Sequence, residues 1–190
     1  MSIEVRAATV FEDVATLVGP KNPASQSCFC LSYRIGGAES RALQGPARAD
    51  RMRELCHQDP APGIIAYLDG EPVGWAAVHP RRDTSFATNR LIPHVDDQDV
   101  WSLWCFRVRP GHRKQGLMHA LIEGAVDHAR ASGAPAIEGY PLDSAGARVN
   151  QTMMYTGTRA LFESAGFSQA ADTGSMLDGF PRVLMRLELR

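Results

Sequence analysis

The sequence predicts a mixed α/β fold, a central sheet of antiparallel and parallel strands flanked by helices. Three stretches predict it. "GIIAYLDGEPVGWAAVHP" (63–80) sets two apolar runs around Asp69-Gly70, a pair that accepts the left-handed backbone of a tight hairpin turn. "VWSLWCFRV" (100–108), an amphipathic helix and "AIEGYP" (136–141) read as strand, crossover helix and parallel strand, joined right-handed. "PRVLMRLEL" (181–189) alternates as a final strand.

Taken in order, "IEVRAAT" alternates with Ile3, Val5 and Ala7 on one face. Thr9 is placed to cap a short helix containing Phe11, Val14, Leu17 and Val18, which Gly19-Pro20 ends. Residues 20–45 read as irregular, being rich in Gly, Ser and Pro. A helix follows through "ARADRMRELCHQ", stopped by Pro60 and Pro62. After the hairpin comes a polar loop from Arg81 to Gln98. The next strand alternates, with Trp101, Leu103, Cys105 and Arg107 on one face and Ser102, Trp104, Phe106 and Val108 on the other. Leu117, Leu121 and Ala125, beside Met118, Ile122, Val126 and Ala129, give the helix over about 116–132 a broad apolar stripe suited to packing on a sheet. Gly133 and Pro135 close it. "TGTRALFESAG" is a last helix ended by Gly166, followed by one or two strands.

The bulk composition narrows the function. The chain has 190 residues and a formal net charge of −1, with 44% hydrophobic and 22% charged residues. That is enough to bury a core without staples, and it lacks the global basic footprint of a nucleic-acid binder. No repeat, linker or charge block divides it, so residues 1–190 read as a single domain. No stretch approaches the roughly 20 apolar residues of a membrane helix. Nothing near the first residue reads as a signal peptide, so the default compartment is the cytoplasm and no membrane partner is expected.

The segment with the most chemistry is "VRPGHRKQGLMHALI" (108–122). It carries a strand end, a basic and glycine-containing turn, and a helix start. The first turn of a helix has N–H groups without intrahelical partners and about +0.5 charge from the macrodipole. A pyrophosphate satisfies both. Gly116 lets the backbone approach closely, and Arg113 and Lys114 add charge at the rim.

Together, "LWCFRVRPGHRKQGLMHALI" and "ALFESAGF" resemble the GNAT superfamily of acyl-CoA-dependent N-acetyltransferases, over most of the chain from Ile3 to Leu189. Arg113-x-x-Gly116 resembles the family's phosphate segment, Q/R-x-x-G-x-G/A, and "LFESAGF" its L-Y-x-x-x-G-F helix. The resemblance implies acetyl-CoA as cosubstrate and no metal. Backbone groups of Phe106, Arg107 and Val108 would pair with the pantetheine arm, lying as an extra strand in a splayed gap. Arg113, Lys114, Gln115, Gly116, Leu117 and Met118 would hold the pyrophosphate, and a strand N–H near Val108 would stabilise the oxyanion.

The sequence departs from the family pattern at three positions. Met118 stands where the phosphate segment ends in Gly or Ala. Phe162 replaces the tyrosine that often protonates the leaving thiolate, and Tyr155, seven residues earlier, is the nearest phenol. Ser102 occupies the strand position where several members carry a glutamate base. Deprotonation is then left to water, to a loop carboxylate such as Asp96, Asp97 or Asp99, or to His79, which ends the hairpin's second strand. The catalytic candidates are therefore Tyr155 and His79. Cys105, next to the expected thioester site, admits an acyl-cysteine route.

The implied function is acetyl transfer to a primary amine, on a small molecule or a peptide, with a homodimer as the family's frequent assembly. A non-catalytic acyl-CoA-binding module is the alternative, favoured by Phe162 and Ser102. A third possibility, in another class, is a zinc or thiol redox site built on Cys28, Cys30, Cys56 and His57. The residues of "CFCLSYR" and of the loop over 81–98 are candidates to line the acceptor site. The aspartates of "IPHVDDQD" would suit a cationic acceptor.

Overall fold

The computed structural model describes residues 2–22 and 29–189. Its strands are β1 (Ile3–Ala7), β2 (Ile64–Leu68), β3 (Glu71–Pro80), β4 (Trp101–Val108), β5 (Ala136–Gly139), β6 (Ser168–Leu177) and β7 (Phe180–Glu188). They form one sheet in the order β1-β2-β3-β4-β5-β7-β6. Every neighbouring pair is antiparallel except β4 and β5, which run parallel. The helices are α1 (Phe11–Val18), α2 (Gly37–Ala42), α3 (Pro46–Cys56), α4 (Leu117–Ala131) and α5 (Arg159–Ser164).

The apolar periodicities explain the layers. α4 buries Leu117, Leu121, Ile122, Ala125, Val126 and Ala129 against the face of the sheet that carries Ile64, Ala76, Val78, Leu103 and Ile137. Each fully buried Leu or Ile contributes about 1.5–3 kcal/mol, so this stripe outweighs the weak capping of the helix. α5 adds Phe162 to the same layer. α1 and α3 cover the opposite face, where Val14, Leu17, Met52 and Leu55 pack with Trp75 and Trp104. The Asp69-Gly70 turn has both residues at positive φ, +50° and +88°, as the hairpin between β2 and β3 requires.

Three local expectations are corrected. The Thr9 side chain does not cap α1; the N-cap is Val10, without a side-chain bond, because Thr9 N–H already turns back to Ala7 O at 2.9 Å. Within the stretch read as irregular, α2 forms, its C-terminal carbonyls held from outside. Arg48 of α3 donates to Ser40 O at 2.7 Å and Leu43 O at 3.1 Å. The third correction lies on β4. Ala77 pairs with Cys105 and Val78 with Leu103, so Trp104 is an extra residue, a β-bulge. Alternation shifts there: Trp104 and Cys105 both reach the α1 and α3 face, while Phe106 and Val108 join Trp101 and Leu103 on the α4 face.

The loop after β3 is a packed element. Arg81 is 3% exposed and its guanidinium donates to the carbonyls of Phe86, Ile92 and Pro93 and to Glu138 Oε2 at 2.7 Å. Phe86 and Ile92 lie in the core of the α1 and α3 face. The polar composition of the loop hides this, because two apolar residues and one arginine fix it.

Candidate active site

Pairing between β4 and β5 stops at Leu103 and Gly139. After β5 the chain follows β7 instead, with Val183 N–H donating to Pro141 O at 3.1 Å and Asp143 N–H to Pro181 O at 2.8 Å. The second half of β4 therefore has a strand partner only on its β3 side. The bulge at Trp104 sits where the two strands part, and a bulge bends its strand. The result is a V-shaped opening along residues 104–108 of β4, which include Phe106, Arg107 and Val108.

The opening leads to the start of α4. The turn over Arg109–Gly116 carries positive φ at Gly111, Lys114 and Gly116. Gly116 is the N-cap at φ +78°, with no side-chain cap, and a Cβ built there would meet nothing within 4 Å. Arg113, Lys114, Gln115 and Gly116 are exposed, Leu117 is buried and Met118 is half-buried, packed against the α4-side core. Met118 therefore leaves the mouth of the helix clear. Main-chain donors, a helix dipole and basic side chains meet at one exposed point suited to phosphate.

On the opposite face of β4, Cys105 and Tyr155 stand half-exposed beside the bulge. Tyr155 comes from a 3-10 turn over Gln151–Thr156 that packs on β4. It interacts with Tyr33, Arg182 and Cys105, and burial with the neighbouring Tyr33 pushes its phenol up to about 12. Cys105 hydrogen-bonds the buried Cys30, lowering the Cys30 pKa against the upward push of burial, and Trp75 Nε1 donates to the same sulfur at 3.1 Å.

The other expected groups lie elsewhere. Phe162 is fully buried in the α4-side core, its ring edge so close to Gly139 that a Cβ there would meet Cε1 at 2.0 Å. Ser102 is fully buried and bonded to Tyr140 Oη at 2.7 Å. Its partner in the parallel register is Glu138, a carboxylate held between Arg81 at 2.7 Å and Arg186 at 3.3 Å. Asp96 pairs with Arg186 at 2.7 Å, which holds its carboxyl below the usual range. Asp99 pairs with Arg82. His79 is 9% exposed, and burial lowers it to about 4, helped by Arg34. Its ring lies 6.2 Å from that of Trp101, with Nδ1 buried and unpartnered, and it interacts with Pro60 and Asp83, groups distinct from those around Tyr155.

Of the cysteine set, Cys28 lies outside the described residues. Burial raises the Cys56 thiol to about 11. Among the described residues no three His, Cys, Asp or Glu side chains cluster closely enough to hold a metal ion.

The comparisons with known proteins fit this geometry. The chain matches the model of the acetyltransferase (GNAT) family over residues 33–141, more than half its length. It belongs to that family.

Solved structures share the GNAT fold over the whole chain at low identity. An N-acetyltransferase from Staphylococcus aureus Mu50 is 15% identical with a TM-score of 0.59, covering 100% of both chains. A GNAT-family acetyltransferase from Streptococcus pneumoniae is 17% identical with a TM-score of 0.56, again over 100% of both. yncA from Salmonella typhimurium, solved with its cofactor acetyl-CoA, is 18% identical with a TM-score of 0.56, over 100% of this chain and 95% of that one. No curated protein matched the sequence. Membership in the GNAT family supports acetyltransferase activity with acetyl-CoA in general terms. No helix among the described residues is long and apolar enough to cross a membrane.

One residue of the cleft escaped the sequence reading. Arg182 of β7 is 3% exposed, and its Nη2 atom has no partner. Its only sequence signal is a charge in the alternating run "PRVLMRLEL", where Arg186 also stands, with Glu188 two residues on.

Proposed function

We propose that this chain transfers the acetyl group of acetyl-CoA to a primary amine by direct attack. The observation that carries the proposal is the opening between β4 and β5, which runs from the bulge at Trp104 to the uncapped start of α4. Phe106, Arg107 and Val108 would pair with the pantetheine amides along that side of β4. Arg113 to Met118 are positioned to receive the pyrophosphate.

The neutral amine attacks the thioester carbonyl, a new C–N bond forms, and the C–S bond breaks. A β4 backbone N–H near Val108 stabilises the developing oxyanion. Tyr155 takes the role of general acid, donating its proton to the departing sulfur. A phenol held near 12 keeps that proton at neutral pH, and it stands beside Cys105 on the acceptor face. His79, at about 4, is neutral at pH 7 but a weak base; general bases work best with a pKa near the working pH. Deprotonation of the ammonium therefore falls to solvent. Holding both substrates in attack geometry supplies much of the acceleration.

The test is acetyl-CoA binding by calorimetry, with Gly116→Asp beside Gly116→Asn. Asn and Asp both tolerate the left-handed backbone at a cost of roughly 1–2 kcal/mol, so the pair isolates the negative charge. Binding by the parent, weakened in Gly116→Asn and lost in a folded Gly116→Asp, supports the site. No binding by the parent sinks the cosubstrate assignment. If acetyl-CoA binds but no amine in a broad panel releases free thiol, the chain is an acyl-CoA-binding module.

A further inference from the structure

Among the described residues five arginines are buried, and three of them are satisfied. Arg81 and Arg186 share the Glu138 carboxylate, and Arg186 also pairs with Asp96 and Glu188. Arg48 binds the end of α2. Among the described residues Arg34 and Arg182 have no carboxylate partner, and both keep buried nitrogen atoms without a hydrogen bond.

A buried, uncompensated cation is costly unless something pairs with it. Arg182 lies beneath the half-exposed Tyr155. Its Nε donates to Tyr140 O at 2.8 Å, which fixes the guanidinium, and its Cζ lies 6.0 Å from the Tyr33 ring centroid. Tyr155, which senses that guanidinium, and Cys105 mark the half-exposed cleft at the bulge. Arg34 adds a second positive centre behind it, 4.9 Å over Trp104.

We propose that the acceptor is an amine that also carries a carboxylate, and that Arg182 binds this carboxylate and so sets substrate class. The proposal rests on acetyl transfer at this site. A guanidinium fork matches a carboxylate in charge and shape. With the carboxylate on Arg182, a short acceptor such as an α-amino acid turns its amine toward Cys105 and the bulge. Of the aspartates of "IPHVDDQD", Asp96 pairs with Arg186 and Asp99 with Arg82, and Asp97 is exposed to solvent.

The test uses matched acceptors: glycine against glycinamide, and L-phenylalanine against L-phenylalaninamide. Thiol release from acetyl-CoA gives kcat/KM for each, and calorimetry reads acetyl-CoA affinity separately. Near neutrality the amide holds a larger fraction of its amine unprotonated, because that amine is less basic, so without recognition it reacts at least as fast as the acid. A preference for the acid of at least about tenfold therefore reports recognition. The preference should collapse toward a ratio of about one in Arg182→Gln and survive in part in Arg182→Lys. Melting curves with each ligand show whether the variants fold and whether the acid stabilises the parent without acetyl-CoA. Intact acetyl-CoA binding with amides used as well as acids overturns the proposal. Loss of acetyl-CoA binding overturns the acetyl-transfer assignment instead, and the melting shift then decides for or against the anion site by itself.

Discussion

Arg182 and Arg186 stand on the same face of β7, four residues apart, and among the described residues only Arg186 is matched by carboxylates. Glu138, Asp96 and Glu188 surround Arg186, while the Arg182 side chain donates to the carbonyl of Tyr140 and keeps Nη2 buried without a hydrogen bond. The contrast separates two uses of a buried charge. One arginine ties a loop and a strand to the sheet. The other is held in place with donors to spare beside the candidate cleft.

Glu138→Gln should be strongly destabilising. It leaves Arg81 and Arg186 facing a neutral amide in a site where Glu138 is 1% exposed. Breaking one partner of a buried ion pair costs about 3–5 kcal/mol. Urea unfolding should show the loss in midpoint, and a change below 1 kcal/mol would mean the network is effectively solvated.

Tyr155→Phe should lower kcat on the order of 10²-fold while acetyl-CoA still binds. The phenol at about 12 acts as an acid only when protonated. Its contribution should therefore persist through neutral and mildly alkaline pH and fall only above the range in which the assay is run. A Tyr155→Phe enzyme with unchanged kcat would remove the tyrosine from the mechanism.

Acid should destabilise the fold through His79. Burial lowers its pKa from about 6.5 unfolded to about 4 folded. The unfolded state then binds more protons between these values. Stability is fully present above about pH 6.5 and is lost as pH falls toward 4, by at most roughly 3 kcal/mol. His128, lowered by burial as well, adds in the same direction. Urea midpoints at pH 7 and 4.5 should differ less in His79→Gln than in the parent, and an equal difference would refute the assignment.

Gly139→Ala should destabilise by about 1–3 kcal/mol and disturb the opening. The new Cβ would meet the Phe162 ring at 2.0 Å, at the last residue paired to β4. Phe162 can give way only into the core with Phe106 and Phe167. Acetyl-CoA affinity and melting temperature should fall together, and an unchanged melting temperature would show that the ring moves freely.

Periodicity made most of the architecture legible. The Asp69-Gly70 hairpin, the stripe of α4 and the strand-helix-strand crossover depend on residues near one another in the chain, so their pattern survives in one dimension. The phosphate turn was legible for the same reason: its glycine, its basic residues and its helix are consecutive.

What the tertiary structure decided depends on partners far apart in sequence. The bulge at Trp104 exists only because β3 and β4 pair out of step, and it moves Cys105 to the face of Tyr155 and away from that of Leu103. α2 needs Arg48 from the next helix to satisfy its end. Within "PRVLMRLEL" Arg186 has Glu188 two residues on, but it is the approach of Glu138 and Asp96 from distant elements that sets its buried charge balance apart from that of Arg182. A sequence shows which residues alternate or recur, whereas the balance of a buried charge is set by what folds against it.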